Sequence, residues 1–270
     1  VRQPFRNLRQ RRVLCHGSFR QGVESHSPLQ ATYWIEGRSV ALHDGLAVLE
    51  QGGDGATKIL VKIFGTPVRG DLDDDGVEDA VLLLVVDSGG SGTFYYLAVA
   101  YNRGGTFSGG EAIFLGDRIA PQRLSIRYGL IVVDYAERLP EEAMSVRPSQ
   151  GVSRCLLSTK TGLEEIPLAK GEALFAGEVV IGHELRSFRT CDTGQEAWLI
   201  GSSPALKAII NAYRQIMSGS PPYTPTFMVL TGRPVERPTD GFGADYPAGF
   251  YATRLVLSHP GPGCADFRKR

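Results

Sequence analysis

Short apolar runs separated by turn residues confine this chain to a mostly β architecture. Runs at 32–36, 58–64, 80–86, 94–101, 112–115, 124–127, 130–135 and 152–157 have strand length. Between them stand pairs such as Glu36-Gly37, Asp44-Gly45, Asp54-Gly55 and Tyr128-Gly129, which supply the backbone freedom that tight turns demand. None of these runs carries a 3.6-residue period. The pattern predicts an antiparallel, β-sandwich-like domain over 31–158, or a curled sheet in the same place. The stretch Asp87-Ser-Gly-Gly-Ser-Gly92 opens a strand pattern and lacks a Gly-Lys-Ser/Thr ending, so it reads as a hairpin loop, not a phosphate cradle.

The one helical signal lies further on. Leu206, Ile209, Ile210, Tyr213 and Met217 share one face of a helix over 204–217, with Ser203 placed to cap it and Pro204 at its start. Strand patterns at 173–182, 185–190 and 197–201 precede it, and 226–231 and 249–257 follow it. A helix between the third and fourth of five strands is the order of an OB-fold-like barrel. We therefore expect a barrel over 172–265 and a linker at 159–171.

The sharpest local motif is Gly70-Asp-Leu-Asp-Asp-Asp-Gly-Val-Glu-Asp79. Asp71, Asp73 and Asp75 take positions 1, 3 and 5 of a calcium loop, and Gly76 takes the position of the sharp turn. Val77 offers its carbonyl and Asp79 falls at position 9. Alternate residues of such a loop turn oxygens inward, which builds a cage for a hard cation. Position 12 is Leu82, where an EF-hand needs a bidentate Glu, and the exit is a strand. The expectation is a calcium loop closing a β element, with the calcium ion as cofactor and Asp79 as a bidentate ligand. Magnesium fits less well, because it retains water and takes few protein ligands.

Composition excludes several classes. Lys plus Arg and Asp plus Glu are 29 each, so no global positive field points to nucleic acid. No apolar run reaches membrane-spanning length. The basic segment carrying Arg2, Arg6, Arg9, Arg11, Arg12 and Arg20 is not followed by an apolar h-region, so no export signal is visible, and residues 1–30 read as a disordered or mis-started N-terminus. His183-Glu184 stops short of a zincin motif, and no nucleophile elbow occurs. Asp134 with Glu137 is the carboxylate pair a hydrolase would draw on.

The cysteines form no C-x-x-C motif. Cys191 and Cys264 flank the second domain and are expected to be bridged, which places the chain outside the reducing cytosol. Cys155 reads as a buried small hydrophobe, with a Cys15–Cys155 bridge left open.

The run Phe64-Gly, then Gly70-Asp-Leu-Asp-Asp-Asp-Gly-Val-Glu-Asp-Ala, Gly90-Ser-Gly-Thr-Phe-Tyr-Tyr-Leu and Phe114-Leu-Gly-Asp-Arg-Ile-Ala-Pro-Gln resembles a domain of uncharacterised bacterial cell-envelope lipoproteins, over about 32–158. The run Gly182-His-Glu-Leu-Arg-Ser-Phe-Arg-Thr-Cys191, with Trp198, Gly241-Phe242 and Cys264, is similar to the OB-type C-terminal domain of the NlpE family of envelope lipoproteins. The lipoprotein-box cysteine is not present; Cys15 follows Arg-Val-Leu.

OB barrels often bind oligonucleotides or sugars. Here Arg186, Arg189, Arg214, Arg233, Arg237 and Arg254 stand with Phe188, Trp198, Tyr213 and Phe227. Interspersed carboxylates flatten the field of those arginines, and the aromatics read as core. The combined expectation is a non-catalytic, secreted or periplasmic, envelope-associated protein. Its first domain would be calcium-stabilised, and its OB-like domain would bind a protein or envelope component and not nucleic acid. A carbohydrate-active hydrolase using carboxylates of the first domain is the alternative.

Overall fold

The structure is a computed structural model that describes residues 25–51, 57–159, 162–259 and 264. The basic segment at 1–24 lies outside the described residues. The chain divides into two compact units, Val1–Ile166 and Pro167–Arg270. The architecture is mostly β, and Ser203–Ile216 is the one α-helical element of more than a single residue among the described residues.

The first unit holds two sheets. The larger has eight strands: β1 (Thr32–Ile35), β2 (Arg38–Ala41), β3 (Leu46–Gln51), β4 (Thr57–Gly70), β5 (Asp79–Asp87), β6 (Phe94–Arg103), β7 (Thr106–Gly109) and β8 (Glu111–Asp117). Its order is β2-β1-β8-β6-β5-β4-β3, with β7 beside β6. The β1–β8 pair is parallel; the other ladders of the sheet are antiparallel. The sheet curls so far that its ends nearly meet: His43 bridges Leu46, and the Gly45 N–H reaches the Leu29 carbonyl at 2.8 Å. The second sheet is the antiparallel set β9 (Ala120–Arg127), β10 (Leu130–Glu137), β11 (Gln150–Thr159) and β12 (Gly162–Ile166), in the order β12-β11-β10-β9.

Two cores follow from this arrangement. Alternate residues of β5 and β6, Leu82, Leu84, Tyr96 and Ala98 among them, turn into the curled sheet and meet Tyr33, Ile35 and Val40. Their neighbours Val81, Leu83, Leu97 and Val99 face outward and pack on Ile131, Val133 and Leu156 of the second sheet. Strand β5 is therefore buried on both faces. That is why it reads as the unbroken apolar run Val81-Leu-Leu-Leu-Val-Val86 instead of alternating. The glycine-rich stretch after it is the β5–β6 hairpin loop, with Val86 opposite Phe94.

The segment expected as a linker, 159–171, is corrected in part. It contains β12, which pairs with β11 from Cys155↔Ile166 to Thr159↔Gly162 and belongs to the first unit. The unit boundary falls after Ile166.

The second unit is a closed barrel of β13 (Ala173–Ile181), β14 (Arg186–Thr190), β15 (Glu196–Gly201), β16 (Thr226–Val235) and β17 (Gly249–His259), in the order β13-β14-β15-β17-β16. Only β15–β17 is parallel. Helix α1 (Ser203–Ile216) sits between β15 and β16 in the chain, which is the OB order. The helix starts one residue earlier than expected, with Ser202 at the N-cap and Pro204 in the first turn. Its apolar face sets Ile209 and Tyr213 against Val179, Phe188, Leu199 and Phe250. At Gly177 a Cβ would lie 2.5 Å from the Arg189 carbonyl oxygen, so only glycine lets β13 and β14 close there.

Candidate metal centre

The loop between β4 and β5 is held at both ends before any ion is considered. At its start, Gly70 lies against Ile126 of β9, where an added Cβ would be 2.9 Å from Ile126 Cδ1. Leu72, between Asp71 and Asp73, is 5% exposed and packs in the core between the two sheets. At its end, Asp79 is fully buried. In the middle, Asp74 and Gly76 take left-handed backbone conformations, φ 61° and 85°. A glycine at the second of these avoids the Cβ cost of that region.

This path gathers three carboxylates. One oxygen from each of Asp71, Asp73 and Asp79 lies within 4.8 Å of the others. Asp71 accepts the Gly76 N–H at 3.0 Å through Oδ2, while its Oδ1 is buried and accepts no hydrogen bond. Asp79 accepts the Leu72 N–H at 3.0 Å through Oδ2 and the Asn102 N–H at 2.8 Å through Oδ1. Burial pushes the Asp79 carboxyl up to about 6. The two N–H donors pull it down, and the charges of Asp73 and Asp75 raise it further.

Asp75 and Val77, expected in the same cage, are placed differently. Asp75 accepts the Val77 N–H at 2.9 Å through Oδ1, and its Oδ2 takes Arg103 Nη1 at 2.9 Å. It is not brought into the three-carboxylate group. The Val77 side chain stands exposed.

Arg103 is the site residue that the motif did not announce. It ends β6, and its Nη2 lies 2.5 Å from Asp73 Oδ2. Its neighbour Asn102 gives its backbone N–H to Asp79 and its side-chain amide to the Glu78 carbonyl at 3.2 Å. The signal that could have found both is strand register. Once Val86 pairs with Phe94 in the hairpin, counting back sets Ala80 opposite Ala100, and the next residues of β6 reach the acidic loop.

The other candidate chemistry disperses. Asp134 and Glu137 stand three residues apart on β10, whose pairing with β11 is regular. The alternation of a strand sends them to opposite faces, and Asp134 accepts a 2.6 Å hydrogen bond from Ser153. His183 and Glu184 are exposed side chains 3.9 Å apart.

In the barrel, Phe188 and Phe227 are fully buried and Tyr213 is 4% exposed, its hydroxyl donating to the Thr224 carbonyl at 3.1 Å. Those three are core, as the sequence reading held. Trp198 differs from the expected inward packing. It lies opposite Ser187, out of phase with the inward pair Phe188↔Ala197. Arg186 covers its ring at 5.1 Å, Tyr246 packs on it at 5.3 Å, and Gly243 approaches its edge. Trp198 thus anchors the β16–β17 connection and offers no open stacking face. Arg189 pairs in register with Glu196, and Arg237 donates to the Ala244 carbonyl at 3.0 Å.

A disulfide joins Cys191 to Cys264, with Cα atoms 5.0 Å apart, and ties the chain beyond β17 to the end of β14. The Cys264 N–H also donates to Glu178 on β13 at 3.2 Å. Cys155 is a free, buried thiol whose pKa burial raises. Cys15 lies outside the described residues. No helix among those residues is long and apolar enough to cross a membrane.

No protein-family model matches the chain, and no curated protein matches it in sequence. Among solved structures, the crystal structure of the Cpx pathway activator NlpE from Escherichia coli aligns with 82% of this chain and 96% of its own, at 10% identity and a TM-score of 0.27. A likeness of that degree assigns neither a family nor an activity.

Proposed function

We propose that this chain is a non-catalytic protein of the periplasm or outer envelope, in which the first unit is stabilised by calcium and the second presents an OB-like interaction surface. The observation that carries the calcium reading is the Asp71–Asp73–Asp79 group, with a buried Asp71 oxygen that accepts no hydrogen bond. Burying a carboxylate oxygen without a partner is costly, and a hard cation removes that cost. Asp71, Asp73 and Asp79 hold the ion, and the Val77 carbonyl completes the loop as in other calcium loops.

The extracytoplasmic assignment draws on the Cys191–Cys264 disulfide, since such bonds persist in oxidising compartments. Calcium is plentiful there, and weak extracellular-type sites work in the 10⁻⁴–10⁻³ M range. For the barrel, packed aromatics and balanced charge favour a protein or envelope component over a single-stranded nucleic acid, which needs open stacking faces and a positive groove.

Isothermal titration of the full chain with calcium chloride, after treatment with chelator, tests the first half. Saturable binding that is lost in Asp71→Ala supports it. Absence of binding up to several millimolar calcium would falsify it. Capture of labelled protein by purified envelope fractions, set against a single-stranded oligonucleotide, tests the second half.

A further inference from the structure

We infer that Arg103 is a built-in counter-ion that competes with calcium for the acidic loop, so that entry of the ion displaces its guanidinium from Asp73 and Asp75. The inference rests on the calcium reading of the same loop and adds what sets its affinity.

The geometry is specific. Arg103 spans two loop carboxylates, Nη2 on Asp73 at 2.5 Å and Nη1 on Asp75 at 2.9 Å. Asp73 is also one of the three carboxylates gathered for a cation. One side chain therefore serves two positive charges. A guanidinium held on Asp73 would face a divalent ion across a single carboxylate, and like charges at that spacing repel strongly. Asp75, the loop position that stands outside the three-carboxylate group, is the one that Arg103 and the Val77 N–H occupy. Release of Arg103 frees one oxygen of Asp75 to turn toward the ion, which restores the alternate-residue ligand pattern of the motif.

The displaced side chain has somewhere to go. Its side chain is 56% exposed, and its guanidinium carbon already lies 6.0 Å from the centroid of the Tyr101 ring. Water and that ring receive it without burying an unpaired charge. The backbone beneath it does not have to move, because Asn102 holds the loop through Asp79 and the Glu78 carbonyl by bonds that do not involve the guanidinium. The exchange is thus a side-chain swap on a fixed frame. Arg103 neutralises part of the acidic loop when calcium is scarce and yields when it is abundant.

The test is calcium titration calorimetry on the full chain and on Arg103→Gln, which keeps a polar side chain and removes the charge. The expected result is binding at least tenfold tighter in Arg103→Gln than in wild type, with the difference shrinking as salt rises from 20 to 300 mM. Binding by the variant alone overturns the calcium reading of the wild-type chain, and the inference with it. Equal or weaker binding in the variant overturns it while leaving the calcium reading intact, because Arg103 would then be positioning the ligands. No binding by either protein overturns both. The wild-type chain supplies a second readout that needs no variant. The resonances of the Arg103 guanidinium Nη–H groups, which donate to Asp73 and Asp75, should show faster solvent exchange on addition of calcium; unchanged exchange at saturation counts against displacement.

Discussion

Asp79 and Asn102 are locked together across the β5–β6 ladder: the Asn102 N–H donates to Asp79 Oδ1 at 2.8 Å, with the carboxyl group fully buried. The same carboxyl accepts the Leu72 N–H from the start of the acidic loop. One side chain thus closes the loop on itself and fastens it to the neighbouring strand. Replacing it with alanine leaves two N–H donors without their acceptor. Asp79→Ala should lower the stability of the first unit by about 2 kcal/mol in chelator, read from urea denaturation followed by tryptophan fluorescence. A loss under about 0.5 kcal/mol would show that the clip is not structural.

Calcium should raise the melting temperature of the first unit. Native-only binding at a hundred times the dissociation constant adds about 2.7 kcal/mol. Asp71→Ala should abolish that rise while changing stability in chelator by less than about 1 kcal/mol, because it removes a single accepted bond, from Gly76, together with a buried oxygen that has none. Differential scanning calorimetry of both proteins, with calcium and with chelator, checks this. The two units should be analysed as separate transitions.

Without divalent ions, the buried Asp79 makes stability depend on pH in a defined direction. Its carboxyl is raised from 3.8 to about 6 in the folded chain. The folded state therefore holds its proton more tightly than the unfolded state does. The resulting contribution is fully present below about pH 4, is lost as pH rises through about 6, and is on the order of 3 kcal/mol. A carbon-detected titration of the Asp79 side chain in chelator should give a midpoint near 6. A midpoint near 4 would mean that the two N–H donors fully offset burial and the neighbouring charges.

Reduction of the Cys191–Cys264 bond should destabilise the barrel without touching the first unit. The bridge spans 73 residues of sequence, and chain-entropy arguments assign such loops on the order of 4 kcal/mol, commonly less in practice. In Cys191→Ser with Cys264→Ser, the barrel transition should fall by several degrees and the calcium-dependent transition should stay. A shift in both would show that the units are energetically coupled.

The barrel should not bind single-stranded nucleic acid. Trp198 is covered by Arg186 and Tyr246, and Phe188 and Phe227 are inside. Fluorescence polarisation of a short labelled single strand with the full chain at about 150 mM salt should show no saturation below 100 μM protein. Micromolar binding that Arg186→Ala removes would make this face a stacking platform after all.

Strong local signals in the sequence carried through to the structure. The helix that became α1 has a complete apolar face, and its place between the third and fourth strands of the second unit was readable from order alone. The clustering of carboxylates in the acidic loop was legible because they are neighbours in sequence, and Gly76 marks a backbone turn that most residues avoid. The Cys191–Cys264 pair was legible for a coarser reason: two cysteines flank one barrel.

What the sequence left open depended on partners distant along the chain. Strands β2 and β12 bury little of their own: Val40 is the one buried residue of Arg38–Ala41, and Ile166 the one of Gly162–Ile166. Their extended state is decided by β1 and β11, which supply the missing hydrogen bonds. The double burial of β5 needed both the curl of one sheet and the approach of another, since an apolar run alone does not say what covers each face. Trp198 and Phe188 look alike in sequence, but barrel closure puts one outside under a loop and the other in the core. Arg103 stands 24 residues or more beyond the loop it clamps and carries no motif. Only the β5–β6 register brings it to Asp73 and Asp75, because hydrogen-bonded strands convert separation along the chain into adjacency in space.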